Sequence, residues 1–113
     1  MRIYHNPRCS KSRQTLKILI KKNADFEIVE YLKNKLSITD LEEIIAKLEI
    51  NTIELVRKNE SVWKEKFKGR NLNDKEIIQA MIDNPKIIER PIVVNGNKAI
   101  LGRPPENVLK IID

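Results

Sequence analysis

An Asn-Gly pair between two short apolar runs near the C-terminus limits how this 113-residue chain can fold more than any other feature. The runs are residues 92–94 and 99–101, and Asn95-Gly96 lies between them. Asn-Gly between apolar segments is the strongest short-range sequence signal for a β-hairpin. The pattern therefore predicts two antiparallel strands in this region.

The N-terminal third of the chain predicts a strand, a helix and a second strand. Residues 1–5 alternate weakly in hydrophobicity and predict a short strand that ends before Asn6-Pro7, because a residue before proline avoids the helical region. A helix is predicted over about 10–22, and the run 26–31 predicts the second strand. The helix has an apolar stripe at helical spacing, consisting of Leu16, Leu19 and Ile20.

The middle of the chain, about residues 37–85, predicts a block of helices. Ser37 or Thr39 is expected to begin the first of them, with Thr39 and Glu42 at the spacing of a capping box. Further helical segments are predicted over 52–58, 62–67 and 74–83. A last helix is predicted after Pro104 and Pro105, with apolar positions at Val108, Leu109, Ile111 and Ile112.

This order of elements favours an α/β fold, in which a mixed sheet carries helices packed on it. The arrangement matches a thioredoxin-like sheet with flanking helices and a helical insertion at about 37–85, in one domain over 1–113. No apolar run approaches the length that crosses a bilayer, and the first residues do not resemble a signal peptide. A cytoplasmic protein with no membrane partner is expected.

The formal net charge of +6 suits an anionic small molecule, an acidic partner or nucleic acid. The densest basic run, residues 63–70, interleaves lysine with aromatic residues, as a nucleic-acid surface can. Trp63 and Phe67 are four residues apart, however, and are expected to share a helix face packed on the core. No nucleic-acid partner is predicted.

Cys9 is the only cysteine, and it lies where the first predicted strand gives way to a helix. Backbone N–H groups at a helix N-terminus favour a thiolate, and nearby hydroxyl groups and arginines can add to that effect. The neighbours that offer them are Arg8, Ser10, Ser12 and Arg13. A buried and inert cysteine is the alternative interpretation.

Three familiar kinds of cysteine site do not fit the sequence. A phosphatase loop needs arginine six residues after the cysteine, where Thr15 stands, and a Cys-x-x-Cys dithiol needs a cysteine where Ser12 stands. A metal site would recruit His5 and Cys9, but no other cysteine or histidine exists to complete it, so no metal is predicted. Thiol chemistry therefore needs an outside thiol or a second copy of the chain.

Arg90 and Arg103 each precede a proline, at the entry and the exit of the predicted hairpin. In an antiparallel pair these two positions lie near the same end of the sheet. Converging guanidinium groups suit a tetrahedral oxyanion, which arginine binds with paired donors. Two unrelated surface arginines are the alternative.

Four segments in this order resemble the glutaredoxin-coupled arsenate reductase family. They are residues 6–16, 55–59, 89–94 and 102–106. The resemblance covers essentially the whole chain and implies a thioredoxin-like domain with inserted helices. Ser10-Lys11 stands where enzymes of arsenic resistance commonly have Gly-Thr, and in this the chain is similar to a housekeeping branch of the family.

The resemblance also implies roles for particular residues. Cys9 is the implied nucleophile that attacks arsenate, and His5 and Ser12 match positions that activate the thiol. Pro91 matches a cis-proline of thioredoxin-like folds. The oxyanion and the covalent adduct are expected to be held by three arginines, Arg57, Arg90 and Arg103.

The family chemistry implies no bound cofactor, with glutathione as co-substrate and glutaredoxin as the partner that removes the mixed disulfide. A monomer is expected. Two other functions stay open. One is a regulator of the Spx kind, which acts by binding RNA polymerase, and the other is a monothiol glutathione-dependent oxidoreductase with a different substrate.

Overall fold

The computed structural model describes residues 1–112, and its contacts divide the chain into two compact units. The first unit consists of Met1–Asn34 and the C-terminal segment that begins at Arg90, and the second is Lys35–Glu89. The predicted insertion at 37–85 lies within the second unit. The single domain over 1–113 stays a prediction.

The first unit contains a four-stranded mixed sheet. Its strands are β1 (Arg2–Tyr4), β2 (Glu27–Val29), β3 (Ile92–Asn95) and β4 (Lys98–Leu101). Their order is β2-β1-β3-β4, with β1 parallel to β2 and antiparallel to β3. β3 and β4 form the predicted hairpin, whose turn contains Gly96 at φ 61°. The mixed sheet and the hairpin are both confirmed.

Helix α1 (Ser10–Lys21) has a buried face that differs from the predicted stripe. Its buried residues are Ser12, Thr15 and Leu19, whereas Ile20 is 59% exposed. The prediction for Ile20 was wrong because two hydroxyl residues occupy buried positions that hydrophobicity alone does not mark. One face of α1 therefore brings polar groups to the inside of the unit.

The core of the first unit joins the sheet to the elements packed on it, and its buried members are Ile3, Leu19, Val93, Val108 and Ile111. The predicted last helix forms as a 3₁₀ helix, Pro105–Lys110. A 3₁₀ helix has three residues per turn, so Val108 and Ile111 lie on the same side. Leu109, which was predicted as part of the apolar face, is 46% exposed.

The second unit contains the remaining helices. They are α2 (Ile38–Leu48), α3 (Ser61–Lys66) and α4 (Asp74–Asp83), with short 3₁₀ helices at Thr52–Leu55 and Pro85–Ile87. Ser37 caps α2, because its Oγ accepts a hydrogen bond from Asp40 N and the Asp40 carboxylate accepts one from Ser37 N, both at 3.0 Å. The capping box predicted at Thr39 and Glu42 was therefore wrong.

The helix predicted over 52–58 ends at Leu55, and the chain then runs beside the segment that precedes Arg90. Val56 and Ile88 form an antiparallel bridge. Arg57 N donates to Ile87 O at 2.7 Å, and Glu89 N donates to Leu55 O at 2.8 Å. Arg57 therefore lies on extended backbone whose position is fixed by hydrogen bonds on both sides of the bridge.

The basic run around α3 has the predicted arrangement. Trp63 is buried, and its ring centroid lies 5.4 Å from that of Phe67. The lysines of the run, Lys64, Lys66 and Lys68, are exposed. Across residues 1–112, no helix combines the length and the apolar character that spanning a membrane requires.

Candidate active site

Cys9 occupies the N-cap position of α1, at the end of a tight loop that follows β1. Its backbone is extended, with φ −94° and ψ 123°, and its N–H donates to Asn6 O at 3.0 Å. The Asn6 side chain accepts a hydrogen bond from Arg8 N at 3.0 Å, which closes the loop from inside. Proline and asparagine at this point thus turn the chain so that the sulfur faces the first turn of the helix.

The surroundings of the sulfur act on the thiol pKa in opposite directions. Burial raises the pKa of Cys9, since only 9% of the residue is exposed and a buried thiolate loses hydration. Hydrogen bonds from the backbone N–H groups of Ser12 and Lys11, together with the guanidinium of Arg90, lower it. The pKa of Cys9 is lowered overall. Backbone donors and a distant arginine therefore outweigh burial at this thiol.

Two arginines from the hairpin reach the sulfur. Arg90 hydrogen-bonds to Cys9, and Arg103 Nη2 lies 3.7 Å from Cys9 Sγ. Arg103 is itself oriented by a hydrogen bond from its Nε to the carbonyl of Arg90 at 2.8 Å. Because β3 and β4 are antiparallel, the residues that flank them meet at one end of the sheet. The structure therefore brings together the arginine pair that the sequence placed around the hairpin.

Both prolines that follow these arginines have cis peptide bonds, at Arg90–Pro91 and at Arg103–Pro104. Gly102 N donates to Pro91 O at 2.9 Å, which continues the pairing of β3 with β4. A Cβ on Gly102 would lie 2.5 Å from Thr15 Oγ1 and 2.7 Å from Pro91 Cγ. Only glycine allows α1 and the hairpin to approach this closely.

His5 and Ser12 lie behind the loop rather than at its surface. His5 Nδ1 is 2.5 Å from Ser12 Oγ, and Ser12 Oγ also accepts a hydrogen bond from Asn6 N at 3.0 Å. The Ser12 hydroxyl is thus hydrogen-bonded inside the loop, while the backbone N–H of Ser12 donates to the sulfur of Cys9. Arg13, which was expected to add charge at the thiol, donates to Pro7 O at 2.9 Å.

The pKa of His5 is lowered, chiefly because the residue is buried and an imidazolium there would lose hydration. The charge of Glu30 raises it in part, and the charge of Arg13 lowers it further. His5 is therefore neutral at neutral pH.

Arg57 belongs to the second unit, where two carboxylates contact its guanidinium. Its Nε lies 3.6 Å from Glu60 Oε1, and its Nη1 lies 3.5 Å from Glu89 Oε1. The grouping of Arg57 with Arg90 and Arg103 around one oxyanion stays a prediction.

Sequence reasoning did not anticipate the roles of Asn6, Thr15 and Gly102. The Asn-Pro pair was interpreted only as the end of a strand, although asparagine before a turn commonly bonds to backbone two residues on. Thr15 and Gly102 are paired only in the folded chain, and no local pattern marks a contact between them. Within residues 1–112, no three His, Cys, Asp or Glu side chains are grouped as metal ligands would be.

A four-stranded mixed sheet with a cysteine at the N-terminus of its first helix defines a thioredoxin-like protein. The chain belongs to the ArsC family, whose model matches residues 4–111.

Relatives match the chain over nearly its whole length. The uncharacterized protein YfgD of Escherichia coli strain K12 is 46% identical over 114 residues, which cover 99% of this chain and 96% of YfgD. An arsenate reductase of Haemophilus influenzae is 41% identical over 112 residues and covers 97% of both chains. The solved structure of an arsenate reductase from Vibrio cholerae has a TM-score of 0.94 at 40% identity and covers 99% of this chain and 98% of its own. The predicted thioredoxin-like fold is confirmed.

Proposed function

We propose that this chain is an arsenate reductase in which Cys9 attacks the arsenic atom and glutathione and glutaredoxin supply the electrons. The observation that carries the proposal is the pair of guanidinium groups at the thiol, with Arg103 Nη2 at 3.7 Å from the sulfur. Guanidinium groups beside a nucleophile bind a tetrahedral oxyanion and neutralise the charge of its adduct. Relatives with 41% and 40% identity are described as arsenate reductases, which supports the choice of arsenate.

The proposed reaction needs only one thiol of this chain, that of Cys9. The Cys9 thiolate forms a bond to arsenic, and one arsenate oxygen takes up protons and leaves as water. A glutathione thiolate then attacks the Cys9 sulfur, so that an S–S bond forms and the S–As bond breaks. The electron pair of the S–As bond stays on arsenic, which leaves as arsenite. Glutaredoxin then attacks the glutathione sulfur and releases Cys9 as a thiolate.

The neighbouring residues have supporting roles in this proposal. Arg90 and Arg103 hold the oxyanion oxygens beside the sulfur, and Arg57 is the third oxyanion ligand by resemblance to the family. His5 and Ser12 activate the thiol by holding the loop in the conformation that exposes backbone donors to the sulfur. We propose that the protein acts as a monomer in the cytoplasm and needs no bound cofactor or metal.

The test is arsenate-dependent oxidation of NADPH in the presence of glutathione, glutaredoxin and glutathione reductase. Turnover is expected with the wild-type chain and none with Cys9→Ser, because the serine hydroxyl is not ionised at neutral pH. Arg70→Gln is the matched control, since it removes one positive charge from an arginine that contacts Phe67. Absence of turnover in the wild type, or equal turnover in Cys9→Ser, would reject the proposal.

A monothiol oxidoreductase acting on mixed disulfides is the second candidate, because the backbone donors of α1 activate Cys9 without any oxyanion. The same coupled assay distinguishes the two when a glutathione mixed disulfide replaces arsenate. Under the arsenate proposal, Arg103→Gln lowers the rate with arsenate much more than the rate with the mixed disulfide. Equal losses with both substrates would favour the second candidate.

A further inference from the structure

Glu30 lies next to His5, at the ends of two parallel strands. β1 and β2 pair Tyr4 with Val29, and His5 N donates to Val29 O at 2.9 Å. Neighbouring strands are about 5 Å apart, so one further step in the same register places Glu30 beside His5. Glu30 and His5 are thus neighbours on the sheet, although they lie 25 positions apart in the sequence.

The two side chains line one cleft, of about 430 Å³. Arg8 and Lys33 also line it. Glu30 Oε1 lies 3.6 Å from Lys33 Nζ, but the Lys33 side chain is 76% exposed, and an ion pair in water contributes little. The Glu30 side chain is 35% exposed. Its carboxylate therefore keeps an electrostatic effect on the buried imidazole beside it.

The hydrogen bonds around Ser12 favour a proton on one particular nitrogen of His5. Ser12 is fully buried, and its Oγ already accepts a hydrogen bond from Asn6 N. A buried hydroxyl needs an acceptor for its own proton, and His5 Nδ1 lies 2.5 Å away. Nδ1 can accept that proton only if the neutral imidazole carries its hydrogen on Nε2. The hydrogen bonds of Ser12 thus favour the Nε2–H tautomer of His5.

We propose that Glu30 is a positioning residue for the thiol, because its carboxylate stabilises the Nε2–H tautomer of His5. That tautomer keeps Nδ1 as the acceptor for the Ser12 hydroxyl. Ser12 in turn presents its backbone N–H to the sulfur of Cys9. The charged groups that act on His5 are Glu30, directly after β2, and Arg13 from α1, with Arg8 and Lys33 in the cleft. The inference rests on the proposed function only in taking Cys9 as the nucleophile.

The sequence offers a clean experiment, since it contains one histidine and one cysteine. The ¹⁵N chemical shifts of the His5 ring report the tautomer and its titration, and no substrate is needed. In the wild type, Nδ1 is expected to be unprotonated and Nε2 protonated at neutral pH. In Glu30→Gln the Nδ1–H tautomer increases. The midpoint of the His5 titration also moves to lower pH, because the negative charge that favours the imidazolium is gone.

Two matched variants show whether the carboxylate of Glu30 itself is responsible. Glu30→Asp keeps the charge and is expected to restore the wild-type tautomer. Glu27→Gln removes a carboxylate from β2 that pairs with Arg2 instead of acting on His5. This variant should leave the His5 tautomer and titration unchanged. The rate of Cys9 alkylation at neutral pH should fall by roughly threefold in Glu30→Gln and recover in Glu30→Asp.

An unchanged tautomer and titration of His5 in Glu30→Gln would overturn the inference. A second outcome would also overturn it. If Glu30→Gln lowers the alkylation rate by the same factor in the His5→Asn background as in the wild type, Glu30 acts without His5. A protein that fails to reduce arsenate but shows the expected ring shifts would reject the proposed function and leave the role of Glu30 intact.

Discussion

The pKa of the Cys9 thiol is lowered by its position at a helix N-terminus and by Arg90, which is distant in the sequence. Backbone N–H groups of Lys11 and Ser12 face its sulfur, and Arg90 adds a hydrogen bond and a positive charge. Burial opposes these contacts, since it removes water from the thiolate. The lowered pKa of Cys9 is therefore the result of opposing effects, and replacing one charged neighbour by an uncharged residue can change it.

At this scale we predict that Arg90→Gln raises the pKa of Cys9, because the substitution removes the guanidinium charge that stabilises the thiolate. Alkylation by iodoacetamide at neutral pH should slow by roughly fivefold, the factor that corresponds to about 1 kcal/mol of lost thiolate stabilisation. The inflection of the rate against pH should move to higher pH. Arg70→Gln should show the wild-type profile, and an unmoved inflection in Arg90→Gln would contradict the assigned contact.

At the scale of elements, the site depends on how closely α1 approaches the end of the hairpin. Gly102 packs against Thr15 of α1 and against Pro91, without room for a side chain. Thr15 Oγ1 donates to Lys11 O at 2.9 Å, so its hydroxyl is occupied within the helix and its position is fixed. This contact holds the N-terminus of α1 next to the arginines that flank the hairpin.

Gly102→Ala should destabilise the fold by about 1 to 3 kcal/mol, the range for a side chain forced into a packed site. Urea unfolding followed by circular dichroism measures the change. Adding Thr15→Ala removes the nearer of the two clashing side chains, so the double variant should lose less stability than the sum of the single variants. If the losses of unfolding free energy in the two single variants add up to that of the double variant, the two positions do not clash.

At the scale of the whole molecule, the candidate oxyanion ligands are divided between two compact units. Arg90 and Arg103 belong to the first, and Arg57 belongs to the second, where Glu60 and Glu89 contact its guanidinium. The antiparallel bridge between Val56 and Ile88 fixes the backbone segments that carry Arg57 and Glu89. These contacts of Arg57 thus all come from its own unit.

This division leads to a prediction that separates oxyanion binding from thiol activation. Arg57→Ala should raise the KM for arsenate by roughly tenfold, equivalent to about 1.4 kcal/mol of binding. The alkylation rate of Cys9 without any oxyanion should stay at the wild-type value, because the contacts that lower its thiol pKa come from α1 and Arg90. Steady-state kinetics and alkylation measure the two effects, with Arg70→Ala as control. A slower alkylation together with an unchanged KM would contradict the role of Arg57 as an oxyanion ligand.

The sequence by itself determined the order of the elements, the hairpin, the mixed sheet and the position of Cys9 at the start of α1. These features depend on local chemistry, namely periodicity, Asn-Gly at a turn and proline after asparagine, which act over a few residues. The same local reasoning failed at the buried face of α1 and at the cap of α2. Ser12 is buried because His5 and Asn6 hydrogen-bond to its hydroxyl group, and Thr15 is buried because Gly102 packs against it. The capping geometry selects Ser37 over Thr39.

Only the tertiary structure decided which groups surround the thiol. Arg8 and Arg13 are next to Cys9 in sequence, but Arg90 and Arg103 reach its sulfur, because antiparallel pairing brings both ends of the hairpin to the loop after β1. The same holds for Glu30, which parallel pairing places beside His5. Electrostatic effects act through space, and sheet register sets the distances between residues that are far apart in the chain. The sequence therefore located the cysteine at the start of α1, and the fold determined the charges around it.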